Sequence, residues 1–381
     1  MQGNFKVAIA GGGVAGLTAA VALHRLGIEV AVYEKHYGSQ QHTTGFTLWS
    51  YSADRLAEFG LGPDRLDEVG CAVETTEVRN QSGRVILPMP VGEVSRKLGA
   101  DSYEIRRPDL LQALEGELPT GTVRRGEAVR TADVAGEKAW IELDDGDRVE
   151  ADLVIGADGI HSALREVVVG PTELRDSGYR GCSALAPRPE EIMPAQTHID
   201  IWGKGGKAGA GDVGRGDCRW YLTWKKKEDE ERQTRAQLLE AYRDWDPLMP
   251  ELIEATPESE IVHHAMFDIE PIATWRKKRI ILVGDAAHAT TPFAAMGANM
   301  AIEDIAVLVN ELQGRDSTEE ALVAYESSRK QRAEDIVQKG RRMSRLTQLH
   351  SPFAAWVRDQ LFVHMAEKDA ERITREMASG D

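Results

Sequence analysis

Residues 11–16 read Gly-Gly-Gly-Val-Ala-Gly and follow directly on the apolar stretch 5–10. In a G-x-G-x-x-G run placed there, Gly11, Gly13 and Gly16 permit a tight turn, a close backbone approach to a pyrophosphate and close helix packing, while the helix N-terminus adds positive potential. Glu34 ends a second apolar stretch about 20 residues beyond the glycines, where a carboxylate accepts hydrogen bonds from a ribose 2′-hydroxyl and repels a 2′-phosphate. With Val14, Ala15 and Lys35 beside them, these residues suit the ADP half of a dinucleotide with a free ribose. NAD and FAD both satisfy this much, and the bland alternative is a structural turn with a surface acid.

Two later segments carry the same kind of signal. Residues 152–162, Asp-Leu-Val-Ile-Gly-Ala-Asp-Gly-Ile-His-Ser, read as strand, glycine turn and helix start, with Arg165 just beyond, and Gly284-Asp285-Ala286-Ala287-His288 repeats the strand-then-Gly-Asp arrangement. Glu303 and Asp304 read as first-turn acids complementing a helix dipole. In the middle of the chain, His198, Asp200 and Trp202 alternate with Thr197, Ile199 and Ile201, and Trp220, Leu222 and Trp224 share one face of a later strand. His198, Trp202, Trp220 and Trp224 are therefore the pocket-wall residues expected from the pattern, against the plainer reading of each as core. His263 and His264 point to opposite faces of a regular strand, so at most one of them faces such a pocket.

The elements that must position these groups follow from periodicity. Residues 5–10 and 30–33 read as strands and 17–26 as a helix, one βαβ unit. Helical patterns at 54–66 and at 107–118, the latter with Pro108 in its first turn, belong on the same sheet. Strand signals then crowd at 129–132, 139–143, 153–155, 197–202, 219–224 and 261–267. The glycine-rich stretch 203–216 reads as a flexible hairpin loop, and the charge run 225–232, KKKEDEER, as a solvated turn or helix start. A strand at 279–283 leads into small residues ending at Asn299, after which 300–313, 318–347 and 353–377 read as helices broken at Ser351-Pro352.

Bulk properties exclude several classes. With 381 residues, 42% of them hydrophobic, the chain can bury a large core and form two joined domains. Its 46 Lys and Arg against 62 Asp and Glu give a formal charge of -16, which repels nucleic acid and anionic lipid. No run reaches the roughly 18 apolar residues of a membrane span, and the first residues lack the basic start and apolar stretch of a signal peptide, so the cytoplasm is the expected location. Cys71, Cys182 and Cys218 are an odd, widely spaced set, read as reduced and structural, with no metal site.

Taken together, the glycine run, the Asp158-Gly159 segment and the Gly284-Asp285 segment resemble the three fingerprints of the flavoprotein aromatic monooxygenases of the para-hydroxybenzoate hydroxylase type, which include salicylate and polyketide hydroxylases. The resemblance runs from Val7 to about Arg332. It implies an α/β fold: a Rossmann-like, GR2-type FAD-binding domain with an inserted, mostly antiparallel β-sheet substrate domain and C-terminal helices. The expected division is 1–72, 100–175 and 276–350 for the FAD domain, 73–99 and 176–275 for the sheet domain, and 351–381 for a terminal helix.

The resemblance further implies that Asp285 meets the FAD ribityl chain, that Asp158 and Gly159 tie the FAD site to the sheet and serve the nicotinamide nucleotide, and that Arg107 lies near the flavin phosphates, although adjacent Arg106 leaves the register open. Pro292 to Asn299 matches the loop along the isoalloxazine ring, with Gly297, Ala298 and Asn299 offering amides to its pyrimidine edge. Here the chain has Ala295-Met296-Gly297 where the family has Gly-Gln-Gly. The implied activity is that of a single-component monooxygenase: NADH or NADPH reduces the FAD, dioxygen adds at its C4a carbon, and the hydroperoxide hydroxylates or epoxidises an aromatic or polyketide-like substrate. Such an enzyme is a monomer or homodimer and needs few catalytic side chains. The competing readings are an FAD reductase of the geranylgeranyl reductase type and a non-enzymatic NAD or FAD sensor. A flavin halogenase lacks support, because its Trp-x-Trp-x-Ile-Pro segment is missing.

Overall fold

The apolar stretches flagged by the glycine motifs become neighbours in one sheet. The computed structural model describes residues 5–38, 45–226 and 232–380. Its six-stranded sheet runs Arg276–Lys277, Ile280–Leu282, Leu153–Gly156, Lys6–Ala10, Glu29–Glu34, Val123–Arg125, parallel except at the first pair. Parallel strands are buried on both faces and read as continuous apolar runs, which is why these were legible. Helix Val14–Arg25 packs against Gly297–Gly314, which packs in turn against Thr318–Thr347. A three-stranded antiparallel sheet, Val129–Ala135, Lys138–Leu143 and Arg148–Ala151, leans on the central strands.

The expected helix at 54–66 is two helices, Ser50–Glu58 and Pro63–Val69, because left-handed Gly60, at φ +92°, ends the first and Pro63 starts the second. A small sheet of Gly45–Leu48, Tyr103–Arg106 and Gly70–Ala72 was not foreseen, since strands of three or four residues show no period.

The second large sheet has seven strands in the order Val262–Ile269, Leu174–Pro187, Asp217–Lys225, Gly206–Gly214, Thr197–Trp202, Thr75–Asn80, Val85–Met89. Gly206–Gly214 lies in its middle, which corrects the reading of 203–216 as a flexible loop. Glycine and alanine weaken an isolated strand, but here the neighbours require them. A Cβ on Gly209 would come within 2.5 Å of the Tyr221 hydroxyl, and one on Gly211 within 2.5 Å of the Glu104 carboxylate. Helices Arg235–Tyr242 and Leu248–Ala255 cover the far face of this sheet with a core of their own. Of the charge run 225–232, residues 227–231 lie outside the described residues.

The C-terminal helix Pro352–Ser379 crosses strand Val85–Met89 and helix Val91–Leu98. Buried Arg358 fixes its start, donating to the carbonyls of Leu346, Thr347 and Trp202 and to Asp359. Among the described residues no helix is long and apolar enough to cross a membrane, and the three cysteines are unpaired.

Candidate active site

Strand Lys6–Ala10 delivers Gly11 at φ +102° against the end of Leu153–Gly156. A Cβ on Gly11 would meet the Ala157 carbonyl oxygen at 2.3 Å, and one on Gly16 would meet the Gly11 oxygen at 1.9 Å, so only glycine closes this turn. Helix Val14–Arg25 then begins with no side-chain cap, leaving its first amides directed into the cleft. Glu34 accepts the Gly12 amide at 2.7 Å and the His36 amide at 2.9 Å, so its carboxylate is fixed beside the turn, while Lys35 is exposed. The Arg107 guanidinium stands 3.5 Å from the Cβ position of Gly13. Burial pushes its pKa down, with Asp285 and Glu34 opposing, and it makes no hydrogen bond or ion pair among the described residues. Arg106 instead lies 3.8 Å from Asp109, so of the two adjacent arginines it is Arg107 that stands at the glycine turn. A cradle of glycine amides beside a partly desolvated cation that makes no ion pair fits a pyrophosphate.

Asp158 accepts the Ser162 hydroxyl at 2.5 Å and the Leu164 amide at 3.0 Å, so its carboxylate holds the first turn of helix Ala163–Val169, whose cap is Ser162. Gly159, at φ +79°, turns the chain. Arg165 then reaches the carbonyls of Asp285 at 3.4 Å and Ala286 at 3.2 Å, binding the second motif to the third. The exposed Asp285 opens the short helix Asp285–His288.

Asp304 is not the first-turn acid expected. It lies further along helix Gly297–Gly314, fully buried, accepting the Gly284 amide at 2.9 Å and Arg329 Nε at 2.8 Å and sitting 2.6 Å from His288 Nε2. His288 and Arg329 outweigh the burial cost and hold its carboxyl at about 2. Glu303 likewise serves Arg329, at 2.6 Å, and Arg332, at 2.9 Å. His288 is thus taken up by Asp304 and by the Trp275 ring, 5.1 Å away.

After the 3-10 turn Pro292–Ala294, Ala295 adopts φ +54° and Met296 leads into helix Gly297–Gly314. This helix also has no side-chain cap, so the amides of Gly297, Ala298 and Asn299 face outward at its start. The Asn299 side chain is committed elsewhere, donating to the Thr47 carbonyl and accepting the Trp49 amide, both at 2.9 Å.

Opposite this loop stands one face of the seven-stranded sheet. Strand pairing sets His198, Gly211 and Arg219 in one row and Asp200, Gly209 and Tyr221 in the next, while Ile199, Ala210 and Trp220 share a row on the other face. Trp220 and Trp224 therefore do not line a pocket with His198, contrary to expectation. Trp220 is core, its indole N–H donating to Thr256 Oγ1 at 2.9 Å, and Trp224 packs at the edge of the same cluster. Alternation put the tryptophans on one face, but which face met the loop depended on helices elsewhere. Trp202 does share the His198 face, yet Phe362 at 4.8 Å and Arg358 cover it.

The face that does meet the loop is ionic, and most of its members went unread. Fully buried Glu104 accepts Arg219 Nε and the Thr47 hydroxyl, each at 2.5 Å, and sits 3.0 Å from His198 Nδ1. Asp200 pairs with Lys207 at 2.9 Å, lies 3.5 Å from His198 Nε2 and accepts the Tyr221 hydroxyl. Although burial opposes ionisation, Arg219 and His198 hold Glu104 at about 2, and Lys207 and His198 hold Asp200 below the carboxylate range. Burial and Asp200 drive Tyr221 well above its ordinary value. The signal available was a charged residue inside the apolar strand Tyr103–Arg106 and the alternation of Arg219, Tyr221 and Thr223 between tryptophans.

Residues 4–340 match the model of the FAD binding domain family. The chain is 31% identical over 378 residues to the aurachin C monooxygenase/isomerase of Stigmatella aurantiaca, covering 98% of each. It is 30% identical over 384 residues to the 2-heptyl-3-hydroxy-4(1H)-quinolone synthase of Pseudomonas aeruginosa, again 98% of each. The crystal structure of Klebsiella pneumoniae HpxO complexed with FAD and uric acid superposes with a TM-score of 0.91 at 26% identity, over 99% of this chain and 97% of the other. The chain belongs to the FAD binding domain family. Within it, it is a flavin-dependent monooxygenase with FAD as cofactor and NAD(P)H as co-substrate, and neither the reductase nor the sensor reading is favoured.

Proposed function

We propose that this enzyme hydroxylates a small, planar, bicyclic nitrogen heteroaromatic held between the loop Pro292–Asn299 and the ionic sheet face. Bound FAD supplies electron transfer from NADH or NADPH and activation of dioxygen. The chain's own part is to hold, orient and exclude water. Gly11, Gly13, Val14, Ala15, Gly16 and Arg107 take the pyrophosphate, Glu34 with Lys35 beside it the adenosine ribose, Asp285 the ribityl chain, and Pro292, Gly297, Ala298 and Asn299 the ring's edge. Asp158 and Gly159 shape the cleft wall on which the nicotinamide nucleotide rests. The division into an FAD domain and an inserted sheet domain, and a cytoplasmic location, belong to the same reading.

The observation that carries it is the Arg107 guanidinium, in contact with no carboxylate of the described residues, beside a turn that only glycine closes. The substrate class rests on the quinolone named for one relative and the uric acid bound by the structural neighbour, both bicyclic and nitrogen-containing. Tyr221 stands on the sheet with the Lys207 and Arg219 cations 5.5 and 5.6 Å from its ring centroid, and its hydroxyl is already engaged by Asp200. The test is a panel of quinolones, purines, phenols and polycyclic polyketides, scored by stimulated NAD(P)H oxidation and by isotopically labelled oxygen in the product. A purified protein that cannot be loaded with FAD, or NAD(P)H oxidation without oxygen transfer for every compound, would overturn the reading.

A further inference from the structure

The sheet face beneath the loop carries a second polar pair, separate from the ionic cluster. Ser183 is buried, and its Oγ lies 2.7 Å from His264 Nε2. Ser183 pairs with Tyr221 across one strand boundary, and Gly181 pairs with His264 across the other, so Ser183, His264 and Tyr221 share one face. Two contacts bound that face. At one end Tyr179, on the same face four pairs from Ser183, meets Phe293 of the loop with ring centroids 5.1 Å apart. At the other, Thr47 joins the sheet through Glu104 and Arg219 and the loop through Asn299. Ser183 and His264 thus lie on the stretch of sheet between the two points where the cofactor loop and its neighbouring strand touch it.

We propose that His264, with Ser183, is the proton acceptor for the substrate's ring hydroxyl or tautomeric N–H. In this step the O–H or N–H bond of the substrate breaks, a bond to His264 Nε2 forms directly or by relay through Ser183 Oγ, and the electron pair stays on the ring system, raising its nucleophilicity at carbon. This rests on the heteroaromatic hydroxylase reading above.

Four neighbouring titratable groups, Glu104, Asp200, His198 and Tyr221, are unsuited to that work. Glu104 and Asp200 are held as carboxylates by Arg219, His198 and Lys207, and His198, raised by those two acids despite its burial, is already tied between them. Tyr221 is committed as a donor to Asp200 and is pushed far too high to act as a base. His263, next in sequence, turns to the opposite side, accepting from Arg232 and contacting the Gln233 carbonyl.

The experiment uses FAD-loaded enzyme with uric acid and 2-heptyl-4(1H)-quinolone as probes. In His264→Gln and Ser183→Ala, FAD content and melting temperature are expected to match the wild type, while product formed per NAD(P)H consumed falls at least about 10-fold, hydrogen peroxide accounting for the difference. Raising the pH past the probe's own ionisation is expected to restore the yield in both variants, a rescue that a packing defect would not show. His263→Gln serves as the control and keeps the wild-type yield. Wild-type yield in both variants, or lost yield that high pH does not restore, would overturn the proton-acceptor role. No product from the wild type with any aromatic probe would instead remove the substrate reading beneath it.

Discussion

Arg107 carries a positive charge that no carboxylate in the described residues contacts, at a turn where glycine leaves room for phosphate oxygens. Arg107→Ala should weaken FAD binding by about 1.5 to 3 kcal/mol, roughly 10- to 100-fold in Kd, as read by flavin fluorescence titration. Arg107→Lys should recover part of it, since a point charge replaces a fork. Sequence alone placed two adjacent arginines here and could not choose, because a one-residue shift at a helix start leaves the periodicity unchanged. Ala295 is the reverse case, legible as a departure but not as strain. Its φ of +54° costs an alanine about 1 to 2 kcal/mol, whereas the extra unfolded-state freedom of glycine costs only about 0.4 to 1 kcal/mol. Ala295→Gly should therefore stabilise the protein by up to about 1.5 kcal/mol in denaturant unfolding and free the loop, while Ala295→Val should destabilise it.

At the scale of elements, the third motif is held by an acid buried inside a neighbouring helix. Asp304 joins helix Gly297–Gly314 to the Gly284 turn and, through Arg329, to helix Thr318–Thr347. Asp304→Asn leaves Arg329 with Glu303 as its remaining carboxylate partner and should cost about 1.5 to 3 kcal/mol, the worth of charge-assisted hydrogen bonds rather than of an uncompensated buried charge. The folded carboxyl titrates at about 2, below its ordinary value of 3.8, so its contribution is fully present above about pH 4 and is lost as the pH falls toward 2. Urea unfolding of wild type and variant at pH 6 and pH 3 should show the gap between them narrowing at the lower pH, and an unchanged gap would rule out the ion pair as its source. The acid was visible in the sequence, but its depth in the helix was not, because an N-terminal boundary moved by a few residues turns a first-turn acid into a core one.

At the scale of the molecule, the C-terminal helix closes the fold over the edge of the seven-stranded sheet, with Arg358 satisfying three carbonyls from two other segments. Removing 352–381 would uncover Trp202, Leu87 and Met89 and leave those carbonyls unpaired, so the truncated chain should be recovered as aggregate or lose its cooperative thermal transition. Arg358→Ala, measured by thermal unfolding of FAD-loaded enzyme, should show a smaller loss in the same direction.

The glycine turn, the parallel strands, the long helices and the cofactor class were all determined by the sequence itself. Each rests on local spacing: a turn that only glycine makes, an apolar run too continuous for any surface strand, a helical period sustained over several turns. The tertiary structure alone decided which sheet face meets the cofactor loop. Alternation sorted residues 217–225 into two sets correctly, but a strand's two faces are equivalent until something packs on one of them. Here Arg235–Tyr242 and Leu248–Ala255 took the tryptophans, and the loop was left with Tyr221, Ser183, His264 and an ionic row whose partner, Glu104, lies more than a hundred residues away from Arg219.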